Sequence, residues 1–332
     1  MGRHPQPVGP APHSRWFEWR LRERGRRRHG AVRDRKRRRR VDAHPRGFCG
    51  LVGHKPSFGR IPLPASSAVA QLGVVGALAT TVADAALLLD IASGPDHRDR
   101  RSLPPPPGRY ADAITDLDVR GLRVGWSLDL GFAIVDPEVA AITHSAMETL
   151  VSAGAMRRVD VVASFADSLD IYSKLGAVDT WVNLPDGLWP ERGEELDPLI
   201  VAEYEKGDQL TVRKFARTFT RRSALEAQRA AMFDDVDVLV TPTAAIPAFP
   251  AEGPMPHEIA GQKVHPAMAV PFAMLGNIWG GPAISVPAGI TEAGLPVGLH
   301  IIGDQHRDDV VLRLARVLEE AQPWPRLSPR AR

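Results

Sequence analysis

Apolar residues along most of this chain recur either at helical spacing or in short unbroken runs, and the two patterns alternate. Leu78, Val82, Ala85, Leu89 and Ala92 fall on one helical face. Thr80 or Thr81 is placed to cap that helix, Asp84 sits near its positive end, and Gly94 with Pro95 stops it. Asp136, Pro137 and Glu138 supply a cap, a first-turn proline and a dipole-matched acid to a second helix. Its inner face is Val139, Ile142, Ala146 and Leu150, and Gly154 ends it. A further amphipathic helix is expected over Asp308 to Glu320, and residues 164–230 read as helical with a charged face from Glu203 to Arg229. The runs Leu122–Trp126, Val159–Val162, Val236–Val240, Ala283–Val286 and Val297–Ile302 read as strands, the last two joined through a turn at Gly294, Leu295 and Pro296. Gly47 to Pro62 reads as a tight turn and a short strand, and residues 95–112, with Pro104 to Pro107, as an extended surface connection. Strand–helix–strand alternation of this kind implies an α/β fold built on a sheet.

The chain has 332 residues, 44% of them hydrophobic, enough for a core in one large or two ordinary domains. Cys49 is the only cysteine, so no internal disulfide is available and a reducing compartment fits. No apolar signal region opens the chain, and its most apolar stretch, Val69 to Ile91, is interrupted by Gln71, Asp84 and Asp90. A membrane span needs about 20 residues without such breaks. A soluble, cytoplasmic protein is therefore expected.

Charge alters this picture at one end. The net +3 divides into +12 over residues 1–46 and −9 over the remainder. Residues 1–46 have neither period and few aliphatic side chains, but repeated Arg beside Trp16, Phe17 and Trp19. Taken at face value they form a basic arm on a non-catalytic body, which would bind nucleic acid with strong salt dependence. The genetic code offers a different account. When the last two bases of each codon are joined to the first of the next, Trp16–Phe17 forces Gly, Phe17–Glu18 permits Ser, Glu18–Trp19 permits Ser, and Trp19–Arg20 forces Gly. The same shift permits NPWDL within Gln6 to Arg15, GGSSGGS across Arg15 to Arg22, and DGGGSTRIPA ahead of Gly47.

In that order, and continued in frame by GFCGLVGHKPSFGRIP, these segments resemble the signature of the amidase-signature family. The resemblance runs on through TTVADAALLLDIASGPD, DVLVTPT and GGPAISVPAGITEAGLPVGLHIIG to about Pro325. Residues 1–46 are accordingly expected to be an Arg-rich, irregular, frameshifted segment. Residues 47–332 are expected to be the C-terminal part of one amidase-signature domain, an α/β fold with a twisted mixed sheet covered by helices, incomplete here.

The resemblance implies hydrolysis of a carboxylic amide by a Ser–cis-Ser–Lys triad, through an acyl-enzyme and without metal or cofactor. A serine hydroxyl is a weak nucleophile until a neighbouring base takes its proton, and preorganised N–H groups stabilise the oxyanion that forms. The codon of that nucleophile would straddle Val41 and Asp42, the relay serine's would straddle Phe17 and Glu18, and the lysine would precede Met1. No catalytic residue is therefore assigned to this chain. It is expected to be inactive as written and poorly stable, with an apolar groove exposed beside Gly47 to Gly53. The amidase subunit of a glutamyl-tRNA amidotransferase and the basic-arm protein stay open as alternatives. The partner expected is a small-molecule amide, with no membrane and no nucleic acid, and a homodimer is left open.

Among in-frame residues, Tyr172, Trp181, Asn277 and Trp279 are the candidate substrate contacts, with Trp189 beside them, because aromatics near a site shape acyl pockets. Lys55 reads as structural or exposed. Ser57 and Ser285 lack a nucleophile elbow. His54, His144 and His300 have no metal-ligand spacing, and Cys49 reads as a small packed side chain. Gly276 to Gly281 lacks the lysine of a phosphate loop.

Overall fold

A computed structural model describes residues 44–63, 71–182, 187–196, 198–250 and 254–325. Residues 1–43 lie outside this set, and with them most of the segment expected to be irregular. Residues 44–46, its last three, instead open helix α1 (His44–Cys49). The tight turn expected from Gly47 onward is thus partly helical. Strand β1 (Val52–Lys55) follows and pairs antiparallel with β2 (Ala77–Ala79).

Helix α2 (Val82–Ala92) begins as its sequence indicates: the Thr81 side chain accepts the Asp84 N–H. Helix α3 (Tyr110–Asp116) starts inside the connection expected to be extended; Asp90 accepts the Tyr110 and Ala111 N–H groups and so caps it from α2. After β3 (Arg123–Trp126), helix α4 (Pro137–Ala153) is capped by Asp136, which accepts the Glu138 and Val139 N–H groups, and ends at Gly154. Strand β4 (Arg157–Asp160) starts two residues earlier than the apolar run Val159–Val162. The reason is its register on β3 at the sheet edge, which does not require buried side chains; Val162 is 99% exposed. Helices α5 (Asp167–Val182), α6 (Pro198–Asp208) and α7 (Val212–Asp235) fill the stretch expected to be helical. Then come β5 (Val238–Pro242), the small β6 (Glu258–Ile259) and β7 (Gln262–Lys263) pair, α8 (Ala273–Trp279), β8 (Ala283–Ile290), β9 (Pro296–Gly303) and α9 (Asp308–Ala321).

The strands form a seven-stranded mixed sheet in the order β2-β1-β8-β9-β5-β3-β4, with β3 parallel to β4 and β5 and the other pairs antiparallel. This is the mixed sheet covered by helices that the sequence implies. Alternation along each strand divides the core between its faces. Val286, Leu299 and Ile301 face α2, α3, α4 and α9 in one cluster; Ala283, Leu239 and Ile302 face α5, α7 and α8 in another. Helix α9 closes the first face with Val310, Val311, Leu314, Leu318 and their neighbours buried. Each such side chain contributes about 1.5–3 kcal/mol of burial. No helix among the described residues is long and apolar enough to cross a membrane.

Candidate active site

The face of the sheet opposite α9 carries one polar row. Directly opposed residues on paired strands point the same way, and the pairings run Leu78–Gly53, Gly53–Ser285, Ser285–His300 and His300–Thr241. Ser285, His300 and Thr241 are fully buried. Thr243, just past β5, lies 2.7 Å from Ser285, Oγ1 to Oγ. Helix α1 lies on this row. A Cβ on Gly47 would come within 2.9 Å of Thr243 Cγ2, and one on Gly298 within 3.1 Å of the Gly47 Cα. Glycine is required at both positions because the helix backbone rests on the strands themselves.

One aromatic contact lies beside α1. Phe48 meets Phe249 edge to face, with ring centroids 5.8 Å apart. Residues 243–249 are pinned by Thr243 N–H to the Gly298 carbonyl at 2.8 Å and Ala245 N–H to the Ala269 carbonyl at 3.0 Å. Half-buried Phe249, Met268 and Val270 pack on the second core cluster from this side.

The four expected substrate contacts divide between α5 and α8. Asn277 and Trp279 belong to α8, whose residues are all buried; Trp279 packs edge to face on Phe165 at 5.2 Å, and its Nε1 is buried with no hydrogen-bond partner among the described residues. Tyr172, on α5, packs half-buried against the same cluster as Trp279. Trp181 belongs to the last turn of α5, and its side chain lies outside the described residues. Trp189 packs on Tyr204 and donates to Asp208 at 2.8 Å, far along the chain from α8. The structure therefore unites Tyr172 and Trp279 in one apolar cluster. Residues 276–279 were not legible as helix, because Gly276 is a poor helix residue and the element is short. The polar row was missed too, although Thr241, Thr243, Ser285 and His300 are polar positions inside apolar runs.

Ser57, His54 and Asp308 also meet in space, the residue types of a hydrolytic triad. Their order is wrong for one: in a triad the imidazole stands between serine and carboxylate. Here Ser57 donates directly to Asp308, Oγ to Oδ2 at 2.6 Å and N–H to Oδ1 at 2.8 Å. His54 Nε2 stands 3.6 Å from Asp308 Oδ1, and Arg60 Nε 3.9 Å from Oδ2. Ser57, His54 and Asp308 are at most 1% exposed, so no substrate reaches them. This is a structural knot between β1 and the start of α9. Burial pushes the Asp308 carboxyl above its ordinary range, against the Ser57 hydrogen bonds and the Arg60 and Lys55 charges. Lys55 is likewise buried, its Nζ donating to the Pro56 and Gly281 carbonyls at 2.9 and 2.5 Å. Cys49, expected to be packed, is exposed.

Several known proteins are similar to this chain. The family model for amidases matches residues 44–312, beginning at the first residue of α1. An acylamidase of Rhodococcus erythropolis is 34% identical over 292 residues, covering 86% of this chain and 60% of the relative. A glutamyl-tRNA(Gln) amidotransferase subunit from a Cyanothece species is 31% identical over 304 residues, covering 84% and 62%. Among solved structures, a bacterial aryl acylamidase of the amidase-signature family matches with a TM-score of 0.76 at 25% identity, over 84% of this chain and 60% of that one. A 6-aminohexanoate cyclic dimer hydrolase matches at 0.71 and 26% identity, over 85% and 64%. The chain thus spans about 60% of the length of the curated relatives it matches.

Proposed function

Because this chain belongs to the amidase family, we propose that its gene, read in the restored frame, encodes a serine amidase that hydrolyses a small carboxylic amide through an acyl-enzyme. The carrying observation is where α1 lies. The shifted frame puts the serine codon across Val41 and Asp42, just ahead of a helix that rests on the buried polar row. In that frame the serine attacks the carbonyl carbon, a relay serine and a lysine take its proton, and glycine N–H groups hold the oxyanion. The leaving amine departs protonated, and water then cleaves the ester.

The apolar Phe48–Phe249 contact beside α1 supports an uncharged acyl group over glutamine, whose α-ammonium and α-carboxylate would need partners. Tyr172, Trp181, Asn277 and Trp279 enter the proposal as the candidate substrate contacts. We place the protein in the cytoplasm, without nucleic acid. Residues 1–46 as written replace the signature, so the chain in this frame is inactive.

The test is to read the nucleotides across codons 1–50, restore the frame with its upstream extension, and assay simple aliphatic and aryl amides. Serine-dependent hydrolysis is expected. No hydrolysis of any amide would sink the proposal, and hydrolysis of glutamine only beside partner subunits would favour the amidotransferase reading. The lack of any upstream frame would favour the basic arm.

A further inference from the structure

Strand β4 closes the sheet at the end away from β2, and among the described residues no strand lies beyond it. Its pairing with β3 fixes which backbone groups remain for a neighbour. The Arg157 N–H donates to the Leu122 carbonyl and the Val161 N–H to the Trp126 carbonyl, both at 2.9 Å. Backbone groups of successive strand residues turn to opposite sides, so the N–H and C=O groups of Arg158 and Asp160 face the free edge. The side chains divide as well. Arg158 donates to Glu148 of α4 at 2.7 Å and to Asp160 Oδ1 at 2.9 Å, which places this ion pair on the α4 face. Val159 and Val161 pack half-buried on the second core cluster, on the opposite face. With Val162, Ala231, Met232 and Val236 they line a groove of about 400 Å³ along the edge.

Charges on an edge strand ordinarily discourage pairing. The order of charges on β4 favours one occupant, a second copy of the same strand. Two antiparallel copies exchange hydrogen bonds only where outward-facing residues oppose each other. With a two-fold axis through Val159, Arg158 opposes Asp160 of the second copy and Asp160 opposes its Arg158. Sliding by two residues either way would set Arg158 on Arg158 or Asp160 on Asp160. On the other face Val159 meets its own copy in a non-hydrogen-bonded pair, where side chains approach most closely. Arg157 falls opposite Val161, so no like charges are directly opposed. We propose that β4 is a self-association edge: two copies of this chain pair antiparallel through Arg158–Asp160 and join their sheets into one. A two-fold contact of this kind closes on itself and stops at a dimer. The pairing does not depend on the amidase reading, since it uses only β4 and the groove beside it.

Sedimentation velocity and amide hydrogen exchange on the 332-residue chain test this. The frame-restored protein, which carries the same β4, takes its place if the chain does not stay in solution. A monomer–dimer equilibrium with a Kd of roughly 1–100 μM is expected of so short a contact. Asp160→Arg and Arg158→Asp should each weaken it about 10-fold or more, because each sets like charges opposite one another. Mixed in equal amounts the two variants should form a heterodimer, because every opposed pair then joins opposite charges. The two side chains are 68% and 33% exposed, so neither change disturbs a core. Exchange in the unsubstituted chain remains decisive if a variant fails to fold. The Arg158 and Asp160 N–H groups should slow by about 10-fold between concentrations well below and well above the Kd, while those of Arg157 and Val161, already bonded to β3, should not change. A chain that stays monomeric up to about 1 mM would overturn the proposal. So would a dimer whose Arg158 and Asp160 exchange ignores concentration, or variants that dimerise as well alone as together.

Discussion

Replacing Asp308 separates two roles of one buried carboxylate. Its oxygens accept from the Ser57 hydroxyl and the Ser57 N–H, and Arg60 and His54 stand within 4 Å. Asp308→Ala leaves both Ser57 donors and the Arg60 charge buried without that acceptor, and opens a void at the start of α9. Breaking a buried charged network by removing one member costs about 3–5 kcal/mol, of a total stability of about 5–15 kcal/mol. Asp308→Asn keeps the shape, lets Oδ1 accept the Ser57 N–H, and mimics the protonated acid. Burial raises the Asp308 carboxyl, so its ionised form is less favoured in the fold than in the unfolded chain. The sign follows from proton binding: between the unfolded and folded pKa values the native state holds more protons, so the contribution of Asp308 to stability declines as pH rises above about 4. Asn does not titrate, so the gap between wild type and Asp308→Asn should move in favour of Asn over that range. Urea unfolding of the frame-restored protein, followed by tryptophan fluorescence from pH 4 to 8, measures all three. A loss below about 1 kcal/mol for Asp308→Ala, or equal losses for Ala and Asn at pH 7, would refute the reasoning.

Gly59→Ala should lower stability by about 3 kcal/mol or more, read as a Tm shift, because φ is +83° and the new Cβ would lie 2.1 Å from the Arg101 carbonyl oxygen. A normal Tm would mean that the 57–60 loop adjusts freely. Thr243→Val and Ser285→Ala should each cost about 1–3 kcal/mol by orphaning the other hydroxyl, whereas the double variant should cost less than their sum. An additive double-mutant cycle would show that the two hydroxyls do not depend on each other. Amide hydrolysis by the frame-restored protein should be lost when the restored nucleophile is changed to alanine, and retained at wild-type level in Cys49→Ser, whose side chain is exposed.

Local chemistry made the capped helices readable. Thr81 and Asp136 cap α2 and α4 where their side chains and the following acids indicate, and the turn at Gly294 joins β8 to β9. The errors occur where a distant partner decides. Strand β4 is set by its register on β3 rather than by its own valines. Helix α3 is capped by Asp90, twenty residues away. The short α8 carries its glycine where the Lys55 side chain crosses it, a Cβ at Gly276 lying 3.1 Å from Lys55 Cε. The polar row was invisible for the same reason: Ser285, His300 and Thr241 belong to different strands and become neighbours only through pairing. Nothing in a single strand marks such a position except one polar residue among apolar ones.

Helix α9 is nearly the last element made, yet it holds some of the first. Asp308 fastens the loop after β1 across 251 positions, and Glu319 Oε1 accepts the Val82 N–H across 237. On the ribosome, at about 5–20 residues per second, the wait between Ser57 and Asp308 is about 13–50 s. For most of that interval β1, β2 and α2 exist with neither α9 nor the central strands β8 and β9 beside them. Long-range closure of this kind slows folding and prolongs the exposure of unpaired edges. The nascent β1–β2 hairpin is therefore where a holding chaperone would have most to shield, and a stop codon placed before Asp308 should release a chain that aggregates rather than one that is merely shorter.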